Sequence, residues 1–139
     1  MPYINVSHAA TNRRTKGSRQ QAKELGVEGE IIAAQWLANQ GYIIIEKNYR
    51  PKKHEIDIIA FENNDLVIIE VKTRSNISFG EPATAVDHRK RQFLIGLANQ
   101  YIKEHQWQGN TRFDVVSIVI NNGQPEIKLI KDAFNVMNY

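Results

Sequence analysis

Two runs rich in β-branched residues, His54–Glu62 (HEIDIIAFE) and Leu66–Thr73 (LVIIEVKT), are separated only by Asn63-Asn64-Asp65. A turn that short makes the two strands neighbours in one sheet. Alternation sends Ile56, Ile58 and Ala60 to one face of the first run, and Glu55, Asp57 and Ile59 to the other. In the second run Val67, Ile69 and Val71 oppose Ile68, Glu70 and Lys72. Asp is a poor strand former, yet Asp57 stands mid-strand. Pairing across a turn centred near Asn63-Asn64 sets Asp57 about opposite Glu70. Lys72 lies on the Glu70 face, roughly 6.6 Å further along at ~3.3 Å per residue.

The rest of the chain supplies what such a hairpin packs against. Glu24–Gln40 has helical periodicity, with Val27, Ile31, Ala34, Leu37 and Ala38 on one face and Gly41 as a stop. Tyr42–Tyr49 (YIIIEKNY) reads as a strand, and Arg50-Pro51-Lys52-Lys53 as a basic turn, so the first three strands form an antiparallel meander. After a Ser/Gly/Pro loop at residues 75–82, a second helix is expected from Ala83 to about His105. Its buried side would carry Val86, Phe93, Leu94, Leu97, Ala98, Tyr101 and Ile102. Arg112–Ile120 is a fourth strand, Glu126–Ile130 a short fifth, and the final residues could add one helical turn. The expected class is α/β: one domain, order α-β-β-β-α-β-β, a central sheet flanked by helices.

Charge is divided unevenly along the 139 residues. The net charge is +3, from 18 basic and 15 acidic residues, but every acid lies at Glu24 or later. Removing Arg13, Arg14, Lys16, Arg19 and Lys23 leaves 13 basic against 15 acidic residues, a net of −2. Residues 1–22 are therefore expected as a flexible basic arm, able to hold phosphate loosely or simply solvated, with the folded domain at 23–139. The chain has no cysteine, so a metal would have to sit on oxygen or imidazole. No apolar run approaches the ~18 residues of a membrane span, and the first residues lack a secretory apolar stretch. A cytoplasmic location without membrane contact is the default expectation.

Three acids and one lysine are candidates for chemistry. Helical spacing sets Glu30 beside the apolar stripe, where an ionised carboxylate needs a cation, a donor or a metal; at the stripe's edge it would instead reach water. Asp57 and Glu70 repel across the hairpin unless something positive lies between them. Mg²⁺ or Mn²⁺ would answer that need, with Lys72 holding an attacking water or neutralising a phosphate. A cross-strand salt-bridge cluster, with Lys72 balancing Glu70, fits the same pattern.

The order of Glu in helix one, Asp in strand two and Glu-x-Lys in strand three resembles the PD-(D/E)xK nuclease superfamily. Within it the chain is similar to the small YraN-type, endonuclease-like family over roughly Leu25 to Phe134. The matching blocks include Gly29-Glu30, Gly41-Tyr42, Asn48-Tyr49-Arg50, Glu55–Ala60, Glu70–Arg74, Phe79–Pro82, Ala85-Val86, Lys90 and Arg112–Val116. The resemblance implies a restriction-endonuclease-like fold with a mixed sheet. It implies Asp57, Glu70 and the Val71 carbonyl as metal ligands, Lys72 as the catalytic lysine, and Glu30 as the helix-one acid seen in archaeal Holliday-junction resolvases. The position before Glu55 is often Gly in that family and is His54 here. Its side chain could narrow the site mouth or touch phosphate or metal, or be an ordinary surface histidine.

Arg50, Lys52, Lys53, Arg74 and Lys90 would supply the phosphate contacts, with Lys47, Arg89 and Arg91 nearby; each also suits a solvated face. Arg112 and Asp114 suggest a structural ion pair, and Trp36 and Trp107 packing. The expected function is metal-dependent hydrolysis of nucleic-acid phosphodiesters, DNA ahead of RNA, with branched DNA as one substrate and a homodimer if junctions are cut. A binding module of low turnover on the same fold, or a structural protein whose acids form an ion-pair network, are the competing classes.

Overall fold

The computed structural model describes residues 17–75 and 86–135. They form α1 (Gly17–Asn39), β1 (Ile43–Tyr49), β2 (Ile56–Glu62), β3 (Asp65–Arg74), α2 (His88–His105), β4 (Asn110–Asn121) and β5 (Gln124–Phe134). The five strands lie side by side in chain order. β1–β2, β2–β3 and β4–β5 pair antiparallel, and β3–β4 pair parallel, so α2 is the crossover that a parallel pair requires. The α/β class, the element order and the mixed sheet are as expected.

Each helix covers one face. Ala33 and Leu37 of α1 pack on Ile58, Ala60, Val67, Ile69, Val116 and Ile118. Leu94, Ile95, Ala98 and Tyr101 of α2 pack on Ile59, Leu66, Ile68, Phe113 and Val115. The β3 alternation is therefore as read from the sequence. That of β2 breaks at Asp57, because Ile56 joins the α2 side while Ile58 joins the α1 side.

Several boundaries move. α1 begins at Gly17, so residues 17–22 of the expected arm are its first turns; residues 1–16 lie outside the described residues. Residues 18–22 hold no apolar periodicity but also no Gly or Pro, and the Gln20 amide donates to Glu24 one turn on, at 3.1 Å. The buried stripe of α1 also differs. Val27 and Ile31 are 53% and 48% exposed, while Gly29, Ala33 and Leu37 are buried. Two stripes shared the four-residue spacing, and the one with small residues lets the helix approach the sheet closely. A Cβ added at Gly29 would overlap the Thr73 side chain.

α2 starts at His88, with Asp87 as N-cap accepting from the Lys90 N–H at 2.9 Å. The expected start at Ala83 lies outside the described residues, as does most of the preceding loop. β5 runs on to Phe134, which pairs with Phe113, four residues past the expected end at Ile130; the helical turn expected of the last residues falls on 136–139, outside the described residues. Among the described residues no helix is long and apolar enough to cross a membrane.

Arg112 ties one end of the sheet together. It donates to Glu62, Asp65 and Asp114 at 2.7–3.1 Å, and to the Tyr42 hydroxyl at 3.0 Å. Asp114 is buried, and Tyr42 and the Asp132 N–H also donate to it. The expected Arg112–Asp114 pair is one edge of this larger network. Trp36 and Trp107 pack against the two cores.

Candidate active site

β2 and β3 keep the expected register, with Ile58 opposite Ile69, and the ladder ends there. The next rung would be Asp57–Glu70. Instead the Val71 N–H donates to Asp57 Oδ2 at 2.7 Å. On its other side β2 faces Asn48, which sits in the left-handed region at φ +55° between the Lys47–Ile58 and Tyr49–Ile56 pairs. Asp57 thus stands where the ladder of β2 with β3 ends and its ladder with β1 skips one rung. Irregularities of this kind re-aim side chains beside functional sites.

The irregular backbone turns the Asn48 side chain toward two acids. Its amide donates to Glu30 Oε1 at 2.8 Å and to Glu55 Oε2 at 2.9 Å. Carboxylate oxygens of Glu30, Glu55 and Asp57 all lie within 4.8 Å of one another. Gly29 brings Glu30 here, because the close packing on Thr73 holds that turn of α1 against β3. Glu55 was not singled out from the sequence. Its signal was present in the alternation, which already put Glu55 and Asp57 on one face.

Glu70 is only 9% exposed, and among the described residues its Oε1 has no hydrogen-bond partner. Its Oε2 is 3.5 Å from the Lys90 ammonium in the first turn of α2. Burial pushes the Asp57 carboxyl up to about 8, and the Glu70 charge and Glu30 add to the rise against the Val71 N–H. Burial likewise raises Glu70, against the pull of the Lys90 and Lys72 ammonium groups. A buried and a half-buried carboxyl that resist ionisation together form a centre short of positive charge.

That shortage is what a hard divalent cation would relieve. The donors present are carboxylate oxygens, suited to Mg²⁺ or Mn²⁺, and the bare Glu70 Oε1 is a buried acceptor awaiting a partner. The residues fit such an ion.

Glu30, Asp57, Glu70 and Lys72 are brought to one end of β2–β3. Lys72 is half-buried and near enough to Glu70 and Asp87 to lower both carboxyls. Lys90 reaches Glu70 itself. Arg50 is exposed and 4.0 Å from Glu55, and Lys52 and Lys53 are exposed in the β1–β2 turn. Arg74 ends β3, half-buried. His54 stacks on Phe93 with ring centroids 3.7 Å apart.

The pattern of the uncharacterised protein family UPF0102 matches residues 29–118, a span holding every one of these acids and both lysines. A UPF0102 protein of Clostridium botulinum (strain 657 / Type Ba4) is 43% identical over 118 residues, covering 82% of this chain and 96% of its own. One from Caldanaerobacter subterraneus subsp. tengcongensis is 40% identical over 117 residues, covering 84% and 93%. One from Bacteroides thetaiotaomicron is 42% identical over 111 residues, covering 80% and 92%.

Proposed function

The chain belongs to the uncharacterised protein family UPF0102, the YraN-type family, and we propose that it is a metal-dependent nuclease hydrolysing nucleic-acid phosphodiesters. The observation that carries this reading is the bare, buried Glu70 Oε1 beside an Asp57 carboxyl raised to about 8. Two such groups are costly in a purely structural role.

In this reading Asp57 and Glu70 hold Mg²⁺ or Mn²⁺, with the Val71 carbonyl as a further ligand and Glu30 acting through water. The bound ion would supply a water of lowered pKa and neutralise charge on the scissile phosphate. The chain's own residues do the rest. The Val71 N–H fixes Asp57, and the Asn48 amide holds Glu30 and Glu55 in place. Lys72 places its ammonium beside Glu70, where it orients the attacking water. Lys90 balances Glu70, and Arg50, Lys52, Lys53 and Arg74 supply cationic contacts for the phosphate backbone. DNA is the substrate we favour, acted on in the cytoplasm. A homodimer belongs to the proposal for a junction substrate, whose two strands a two-fold pair of sites would cut.

The test is incubation of the protein with labelled four-way junction, duplex and single-stranded DNA, with Mn²⁺, Mg²⁺ or chelator. Asp57→Ala and Lys72→Ala run alongside. Metal-dependent cleavage lost in both variants is expected. Undiminished cleavage by either would remove the assignment, and binding without cleavage in every sample would leave a nucleic-acid binding module.

A further inference from the structure

Outside the carboxylate centre, a pocket of about 310 Å³ opens between the β1–β2 turn and the outer surface of α2. Lys52, Lys53 and His54 form one side; Phe93, Gly96 and Gln100 form much of the other. Among the described residues no acidic one lines it. Its aromatic wall is preassembled: the His54 and Phe93 rings are stacked within 18° of parallel, and the Arg89 guanidinium lies 5.9 Å from the Phe93 centroid. Gly96 sits mid-helix, where glycine weakens a helix, and a Cβ there would meet nothing within 4 Å. The missing side chain keeps that wall open.

A flat aromatic stack beside two lysines and carboxamides suits one chemical class. We propose that this pocket receives an unpaired nucleobase, with Lys52 and Lys53 on the adjoining phosphates. Every base offers a π-face to such a stack, and the lysines add sequence-independent attraction for the backbone. The inference deepens the nuclease reading and rests on it, because the pocket adjoins that centre along the chain. His54 directly precedes Glu55, and Phe93 lies one helical turn beyond Lys90, the partner of Glu70. The substrate class that follows is nucleic acid with a single-stranded or displaced nucleotide next to the cut. A base locked in continuous duplex presents only its edges and would be excluded.

The experiment measures fluorescence anisotropy in chelator, so that nothing is cut. The probes are a labelled single-stranded DNA of mixed sequence, the same strand as RNA, and the DNA strand annealed to its complement. Phe93→Ala and His54→Ala should weaken single-strand binding about tenfold or more and leave duplex binding unchanged. Gly96→Leu fills the pocket without removing a contact and should do the same. Gly96→Ala should melt at a higher temperature than the wild type, which shows that this helix position tolerates a side chain and separates obstruction from misfolding. An abasic residue walked along the strand should reproduce the loss at one position.

Variants that hold single strands as tightly as the wild type overturn the pocket, as do equal losses on single strand and duplex. A wild-type protein that binds no single strand removes the pocket and leaves the nuclease reading to the metal-dependent cleavage assay, so the two failures are distinct.

Discussion

The backbone N–H of Val71 donates to an Asp57 carboxylate oxygen at 2.7 Å, replacing the ladder rung that would otherwise pair Asp57 with Glu70. This bond holds one acid against another at the sheet's end. Asp57→Asn removes a carboxyl that resists ionisation while keeping the shape. Without metal, the variant should melt at a higher temperature than the wild type. Added Mn²⁺ should raise the wild-type melting temperature and leave the variant's unchanged, as differential scanning fluorimetry would read. A variant that gains stability from Mn²⁺ like the wild type would place the ion elsewhere.

The same pair sets a pH dependence. The folded Asp57 carboxyl titrates near 8 because burial and Glu70 disfavour its charge, whereas in the unfolded chain it ionises near 3.8. Between those values the folded state binds more protons, so its contribution is full below the lower value and is lost as pH rises through the higher one. Metal-free protein should lose stability between about pH 4 and pH 8. Urea titrations of wild type and Asp57→Asn should diverge over that window; parallel curves would mean that the carboxyl ionises normally.

Asn48 tests the support around the acids. Asn48→Gly tolerates φ +55° but removes the amide that Glu30 and Glu55 share. The fold should persist while metal affinity falls by roughly 10- to 100-fold. Calorimetric Mn²⁺ titration against the wild type reads this, and unchanged affinity would confine Glu30 and Glu55 to a structural role.

Gly29→Ala should destabilise the fold by about 1–3 kcal/mol despite alanine's better helix propensity, because the new methyl meets Thr73. Adding Thr73→Ala should recover part of the loss. An unfolding midpoint that rises in the single variant would mean that α1 shifts freely.

Arg112→Met leaves Asp114 buried without its cation and should cost about 3–5 kcal/mol. The network lies at the opposite end of β2 and β3 from Asp57 and Glu70. Mn²⁺ affinity of the folded variant should therefore match the wild type.

The hairpin that holds the site was legible because three residues of turn chemistry leave no other pairing, and the mid-strand acids stood out against a β-branched background. Register followed from the turn. Glu55 and Asn48 were harder. Asn48 matters through a left-handed backbone that asparagine tolerates but that a strand-like run gives no reason to expect, and Glu55 through the carboxamide this backbone aims at it. The buried face of α1 was misassigned because Val27–Ile31 and Gly29–Ala33 share one spacing; only the nearness of Thr73 distinguishes them. The length of β5 escaped because its partner Phe113 lies beyond an irregularity in pairing.

The order of the strands also sets an order in time. Every strand lies beside its predecessor in the chain, and only β3 to β4 must wait for a helix to cross over. Glu30, Glu55, Asp57 and Glu70 all precede that crossing, whereas Lys90 rides on it. As the chain leaves the ribosome, short-range closures cost less entropy than the long one, so the acids gather first. Until α2 docks, they stand without the ammonium that balances Glu70.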